Sequence, residues 1–366
     1  MRSGFGSIIA SSSMTASLAV AAIIAAPTRA PAQAKRDAQG AWGGKTKGVG
    51  RYAEVNGIKL YYEIGGAGRP LVLLHGGLGA LEMFRPNLAA LALGRQVIAV
   101  DLQGHGRTAD IDRALSVELM ADDIAALIKY LKLDGADIMG YSLGGGVALQ
   151  TAIRHPEVVR KLVVVSTPFR RNGFYPDILA QQGQVGPAMA EAMKQTPMYQ
   201  LYASIAPRPD DWPRLVGKIG EAMKQDFDFS QQIAGIKATT LIVAADADIF
   251  PPAHAVELFG LLGGGQRDGG WDGSGRPKSR LAISPGFDAL HHLQRSGPGG
   301  DGHSVPRRAG VERPLRRCHA PSAHVRAGRR SRRRDTGHHV CLYFLGREAR
   351  RAGPAHHAVG GRRSVG

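Results

Sequence analysis

Cysteine is almost absent from this sequence of 366 residues, and both cysteines, Cys318 and Cys341, lie near its C-terminal end. The preceding part of the chain therefore has no disulfide bond and no cysteine-ligated metal site. It also lacks an apolar run of the ~20 residues that a membrane-spanning helix needs. These absences argue against a disulfide scaffold and against a stable membrane anchor.

Lysine is missing from residues 281–366, although arginine is abundant there. These residues carry 17 arginines and 5 acidic residues, a net charge of +12, whereas the whole chain carries +17. The basicity therefore belongs to the tail and not to the body of the protein. A basic tract without interleaved aromatic residues, such as residues 331–334, is weak evidence for nucleic-acid binding, and we expect no nucleic-acid partner.

The N-terminus has the pattern of an export signal. Arg2 precedes a short apolar run at residues 16–26, and Ala32-Gln33-Ala34 offers a cleavage site. We expect residues 1–34 to be a signal peptide, so that the mature protein is periplasmic or secreted. Residues 35–50 are rich in glycine and lysine and are expected to form a flexible lead-in.

The body alternates between short apolar runs and helical patterns. A hairpin signal, Asn56-Gly57, opens it. Helical patterns at residues 117–131 and 143–154 separate several of the runs. The runs lie at residues 71–74, 96–100, 136–139, 162–165 and 240–243. This alternation predicts a mostly parallel α/β sheet flanked by helices, with residues 51–168 and 236–286 as its two parts.

Residues 169–235 contain no clear strand, and we expect them to form a helical cap inserted into the sheet. Helical segments are predicted at residues 187–194 and 212–224. Methionine and aromatic side chains of this segment either line a substrate site or pack the segment onto the body, and both alternatives are open at this stage. They are Met189, Met193, Met198, Tyr199, Tyr202 and Trp212.

A serine lies in a glycine-flanked turn directly after one apolar run. Residues 140–144 read Gly-Tyr-Ser-Leu-Gly, and a helical pattern begins at Leu143. Small residues flank Ser142 because such a strand-to-helix turn is too tight for side chains at those positions. The turn presents the hydroxyl group of Ser142 at the start of a helix, which is typical of a nucleophile.

A second glycine-rich turn, His-Gly-Gly-Leu-Gly at residues 75–79, follows the run at 71–74. Such a turn lets backbone N–H groups point into a site, so the N–H groups of Gly77 and Leu143 are candidates for an oxyanion hole. Asp248 and its neighbour Asp246 follow the run at 240–243.

These motifs, over residues 52 to about 286, resemble those of the α/β-hydrolase superfamily. The turn Asp-Leu-Gln-Gly-His-Gly at 101–106 belongs to the same pattern. The resemblance implies an α/β-hydrolase fold with a helical cap, Ser142 as nucleophile and Asp248, which stands three residues before a proline, as the acid of the triad. It implies structural roles for His75 and His105, and it requires no metal or organic cofactor.

The implied activity is hydrolysis of a small-molecule carboxylic ester, or a similar acyl bond, through an acyl-enzyme intermediate. Two alternatives are open. A cofactor-free perhydrolase or haloperoxidase uses the same triad to make a peracid. A chain that has lost its catalytic histidine would instead be a binding protein that retains the pocket.

The family's pattern fails where the histidine is expected. In the family a turn resembling Pro-Gly-x-Thr-His follows the last strand, whereas this chain continues from Pro285-Gly286-Phe287 to Asp288. Among the degenerate codons that can encode residues 288–293, there is a choice that, read one base later, encodes Thr-His-Tyr-Ile-Ile-Phe. We therefore hypothesise a frameshift near residues 284–287 and expect residues 287–366 to be disordered or out of frame. In the chain as written, His291 or His292 substitutes as the base, or the base is missing.

The frameshift hypothesis predicts that resequencing the gene across the codons for residues 284–293 finds a frame that encodes Thr-His after the last strand. An uninterrupted frame through Gly366, confirmed by the masses of the C-terminal peptides, would contradict a sequencing error.

Overall fold

The computed structural model describes residues 17–18, 49–288 and 294–295. Most of the predicted signal peptide, lead-in and tail lies outside these residues, and so does His291. Two dipeptides, Ser17–Leu18 and Gln294–Arg295, pair in parallel and stand apart from the main sheet.

Eight strands form the main sheet, in the order β1-β2-β4-β3-β5-β6-β7-β8. They are β1 Val49–Val55, β2 Ile58–Gly66, β3 Arg69–Leu74, β4 Arg95–Val100, β5 Ala136–Tyr141, β6 Val159–Val165, β7 Thr239–Ala247 and β8 Arg280–Asp288. Strand β2 pairs antiparallel with β1 and β4, whereas β3 to β8 pair in parallel. The predicted mostly parallel sheet is confirmed. Its central strands are apolar because both faces are covered, and every residue of β5 is buried.

The hairpin between β1 and β2 closes on the predicted turn. Asn56 and Gly57 have φ of 48° and 78°, the left-handed values that a two-residue type I′ turn needs. The amide of Asn56 also donates a hydrogen bond of 3.0 Å to Asp123, which ties the hairpin to a helix.

Helices cover both faces of the sheet. The helices are α1 Arg85–Leu91, α2 Val117–Tyr130, α3 Leu143–Arg154, α4 Pro176–Gln184, α5 Ala190–Met193, α6 Pro197–Ile205, α7 Trp212–Lys224, α8 Ser230–Ile233 and α9 Pro252–Leu261. Helices α2, α3 and α9 contribute to one apolar core, and α1 packs with the 3₁₀ turn Leu81–Phe84 in the other. Helix α2 begins after Ser116 because the Ser116 hydroxyl accepts the N–H of Leu119 at 3.1 Å.

Helices α4 to α8 lie between β6 and β7 and form the inserted cap. Trp212, at the start of α7, is fully buried, and its indole N–H donates to the carbonyl of Ala190 at 3.0 Å. The rings of Tyr199 and Tyr202 pack around it, with centroids 5.4 and 5.2 Å away. Of the two alternatives open for these aromatic residues, the contacts support packing within the cap.

The turn after β5 has no room for side chains at its two glycines. Ser142 has φ 51° and ψ −117°, a strained conformation for a residue with a side chain. A Cβ atom on Gly140 would lie 2.0 Å from the carbonyl oxygen of Gly144, and one on Gly144 would lie 2.3 Å from that of Leu74. Backbone atoms that pack against each other cannot move aside easily. Glycine is therefore required at both positions, where the turns after β3 and β5 cross.

Replacing Gly144 by Ala is expected to lower the free energy of unfolding by about 1–3 kcal/mol or more, because the new methyl group meets fixed backbone atoms. Gly260→Ala is the matched control, since a Cβ at this position in α9 meets nothing within 4 Å. That control should raise the stability by up to about 1 kcal/mol. Urea denaturation of both variants makes the comparison, and an equally stable Gly144→Ala protein would contradict the crowding.

Candidate active site

Ser142 lies between the end of β5 and the first turn of α3. Its N–H donates to the carbonyl of Val165 at 2.9 Å, and its carbonyl accepts the N–H groups of Gly145 and Gly146 at 2.9 and 3.1 Å. The backbone of the serine is thus fixed from both sides, while its side chain is partly exposed. The N-terminus of α3 also places the positive end of a helix dipole at the serine.

Two backbone N–H groups beside Ser142 are free to bind a ligand oxygen. Gly77 and Leu143 line the same cavity as Ser142, and Leu143 contacts the Gly77 position closely enough that a Cβ there would lie 3.8 Å from its side chain. Within residues 49–288, neither the N–H of Gly77 nor that of Leu143 donates a hydrogen bond. Unpaired donors of this kind beside a hydroxyl form the arrangement of an oxyanion hole.

Two buried histidines connect the glycine-rich turn to the turn at 101–106. The Nε2 atom of His75 accepts the N–H of Leu102 at 3.0 Å, and the Nε2 atom of His105 accepts the N–H of Leu78 at 3.1 Å. Each Nδ1 lies 2.8 Å from a carbonyl oxygen to which it donates, that of Gly76 or Gln103. Burial lowers the pKa of His75 to about 3 and that of His105 to about 4. Both rings are neutral and structural, and neither is free to accept a proton from Ser142.

Asp248 follows β7 and is held by three hydrogen bonds. Its Oδ2 atom accepts the Ser166 hydroxyl and the N–H of Ala245, each at 2.9 Å, and its Oδ1 atom accepts the N–H of Ile249 at 2.8 Å. The residue is 7% exposed. Its neighbour Asp246 instead accepts the N–H of Gly286 at 2.8 Å, so the two acids have different surroundings.

Ser166 and Thr167, at the end of β6, link the serine to the acid, and sequence reasoning missed both. The N–H of Ser166 donates to the carbonyl of Val243 at 2.9 Å, and its hydroxyl donates to Asp248. The Thr167 hydroxyl lies 3.1 Å from the carbonyl of Ser142, to which it donates. The available signal was their position at the carboxyl end of β6. This strand lies between β5, which precedes Ser142, and β7, which precedes Asp248, so polar residues there can contact both parts of the site.

A cavity of about 390 Å³ lies between the sheet and the cap, with Ser142 in its wall. Leu115, Leu143 and Thr167 belong to the sheet side, and Ile219 and Met223 of α7 belong to the cap. Its size is that of a small-molecule pocket.

Each histidine in the described chain is placed away from this cavity. His155 contacts Asp122 at 2.7 Å on the surface. His254 stacks on Phe169 with ring centroids 4.2 Å apart, accepts the Phe169 N–H at 3.2 Å, and has its pKa lowered to about 4 by burial. No histidine of residues 49–288 lines the cavity beside Ser142, so the structure brings no histidine to the serine within this range.

No cluster of three or more His, Cys, Asp or Glu residues that could hold a metal ion occurs in the part of the chain that the structure describes. None of the helices described is both long and apolar enough to cross a membrane.

The fold and the site define a class, that of hydrolases with a mostly parallel α/β sheet. Residues 69–201 match the family model of the alpha/beta hydrolase fold. The solved carboxylesterase CesB from Bacillus subtilis has a similar fold, with a TM-score of 0.51 and 19% identity over 72% of this chain and 91% of its own. Residues 69–201 and the sheet that contains them therefore have the alpha/beta hydrolase fold, which this chain shares with known hydrolases.

Two bacterial proteins with a similar sequence are described as hydrolases. A protein of Azorhizobium caulinodans described as the carbamate hydrolase RutD is 29% identical over 223 residues, which are 57% of this chain and 84% of that protein. The 2-hydroxymuconate semialdehyde hydrolase of Pseudomonas sp. strain CF600 is 37% identical over 123 residues, 32% of this chain and 44% of that enzyme. The second similarity spans less than half of the relative, so it concerns the shared core.

The neutral state of His105 predicts a pH-dependent stability that His105→Gln removes. Its pKa falls from an ordinary 6.5 to about 4 on folding. Between these values the unfolded chain binds more protons, so the free energy of unfolding falls as the pH falls through this window. A glutamine oxygen can accept the same N–H without titrating.

The stability advantage of the unchanged protein over His105→Gln should therefore shrink by about 2 kcal/mol between pH 7 and pH 5. Urea denaturation at several pH values measures it. Parallel pH profiles for the two proteins would show that His105 is not held neutral.

Proposed function

We propose that the protein is a serine hydrolase that cleaves a carboxylic ester, or a similar acyl bond, of a small molecule. The observation that carries the proposal is the pair of unpaired N–H groups at Gly77 and Leu143, beside Ser142 on one cavity wall. A hydroxyl group next to two free donors is arranged for attack on a carbonyl whose oxygen becomes negative. Asp248, fixed by three hydrogen bonds, is the acid that orients the base.

The reaction follows from these roles. The Ser142 oxygen attacks the carbonyl carbon while the base removes its proton, and the N–H groups of Gly77 and Leu143 stabilise the negative oxygen of the tetrahedral intermediate. The base then gives the proton to the leaving alcohol, and an acyl-serine remains. Water, activated by the same base, attacks the acyl group and releases the acid.

We assign the base to His291, which lies outside the described residues. Support comes from the end of β8, where Asp288 is paired with Ala247, next to Asp248 in sequence. Burial raises the pKa of Tyr141, and the charges of Asp248 and Asp288 raise it further, so both carboxylates lie near the same phenol. The chain therefore leaves β8 close to the acid, and the residues that follow Asp288 start at the right place to supply a base.

Ser142→Ala should abolish hydrolysis of p-nitrophenyl acetate, and Asp248→Asn should reduce kcat by about 10⁴-fold because the base loses its orientation. Ser204→Ala is the matched control, since this exposed serine in α6 donates only to the carbonyl of Leu201. It should retain full activity. Turnover by Ser142→Ala at the unchanged rate would refute the nucleophile.

The base is tested separately. His291→Ala should abolish turnover while leaving the thermal unfolding midpoint unchanged. If the unchanged chain is inactive and the double variant Asp288→Thr/Ala289→His gains Ser142-dependent activity, the assignment of His291 is wrong and the Thr-His motif is the missing part.

A further inference from the structure

The charges around the cavity are of one sign. Two charged side chains line it, Glu118 and Asp226, and both are carboxylates. Glu118 lies in the first turn of α2, where the helix dipole stabilises a negative charge. Asp226 is exposed, on the segment between α7 and α8. One acid therefore belongs to the body of the protein and the other to the cap.

Cations on the neighbouring elements are paired elsewhere or lie outside the cavity lining. Lys218, on α7, lies 2.7 Å from Asp110 and donates to the carbonyls of Ile111 and Arg113. Arg113 itself pairs with Asp123, and Arg171 donates to the carbonyl of Met223. Lys224 is exposed at the end of α7 and does not line the cavity. Of the described residues that line the cavity, none is a lysine, arginine or histidine.

The rest of the lining is mostly apolar. Phe174, Ile178 and Phe227 of the cap face Leu115, Met120 and Leu143 of the body across the cavity. A carboxylate moved into such a space loses its water without gaining a cationic partner, which is strongly unfavourable. The two fixed acids add repulsion.

We propose that this site takes substrates whose group in the cavity is uncharged and apolar, and that it discriminates against substrates that carry a carboxylate there. The proposal rests on the proposed function for the chemistry at Ser142, but the selectivity is a property of the cavity itself. Glu118 and Asp226 are the specificity-determining residues.

The test compares two esters of equal acyl length, p-nitrophenyl hexanoate and p-nitrophenyl adipate, which differ by a terminal carboxylate. After correction for their rates of alkaline hydrolysis, the full chain should favour the hexanoate at least about tenfold in kcat/KM. The variant Glu118→Gln/Asp226→Asn should reduce this preference severalfold. Added salt should also reduce it, because Asp226 is exposed to screening ions.

The control variant Glu54→Gln/Asp134→Asn removes the same charge at two exposed positions that do not line the cavity, and it should keep the preference. The 17 arginines of the tail are present in all three proteins, so their attraction for the anionic ester is the same in each. Equal kcat/KM values for the two esters, or an equal loss of preference in the control, would overturn the proposal.

A binding measurement separates this proposal from the proposed function. Calorimetric titration of the Ser142→Ala protein with hexanamide and with adipamate, its carboxylate counterpart, reports selectivity without turnover. Tighter binding of hexanamide by Ser142→Ala, together with no hydrolysis of either ester by the unchanged protein, would support the cavity's selectivity and contradict the proposed function. Ser142-dependent turnover with equal binding of the two amides would support the proposed function and overturn the cavity's selectivity.

Discussion

The close approach of the turns after β3 and β5 is the constraint on which the site depends. Gly144 lies so close to the backbone of Leu74 that no side chain fits between them. At this contact Leu143 packs against the Gly77 position in the same cavity wall as Ser142, and Ser142 has a conformation that few residues with a side chain adopt. The glycines therefore shape the turn that carries the Ser142 hydroxyl and the site that we propose as the oxyanion hole.

The rest of the site is built outward from that crossing by neutral or well-paired groups. His75 and His105 join the glycine-rich turn to the next turn along the sheet, and burial keeps them uncharged. On the other side, Ser166 connects β6 to Asp248. The cap closes the space above Ser142, with α7 anchored through Lys218 to Asp110 of the body. The turns at the end of the sheet and the ion-paired helix α7 of the cap thus enclose a mostly apolar cavity.

The sheet, the turn at Ser142 and the structural roles of His75 and His105 were predictable, because buried parallel strands and glycine-only turns leave strong local signals. The roles of Ser166 and Thr167 follow from their positions only once β6 is known to lie between β5 and β7, and local sequence does not encode strand order. The sequence left the role of the cap's aromatic residues open for a related reason. Whether Trp212 faces a cavity or packs against Tyr199 and Tyr202 is decided by tertiary contacts and not by helical periodicity. The cavity's lining, including Glu118 and Asp226, likewise appears only when sheet and cap are brought together.

The most direct test of the central claim is to identify the residue that reacts with a fluorophosphonate probe. Peptide mapping by mass spectrometry should find one adduct, on Ser142, and Ser142→Ala should remain unlabelled. Labelling at another serine, or the same labelling in Ser142→Ala, would contradict the account.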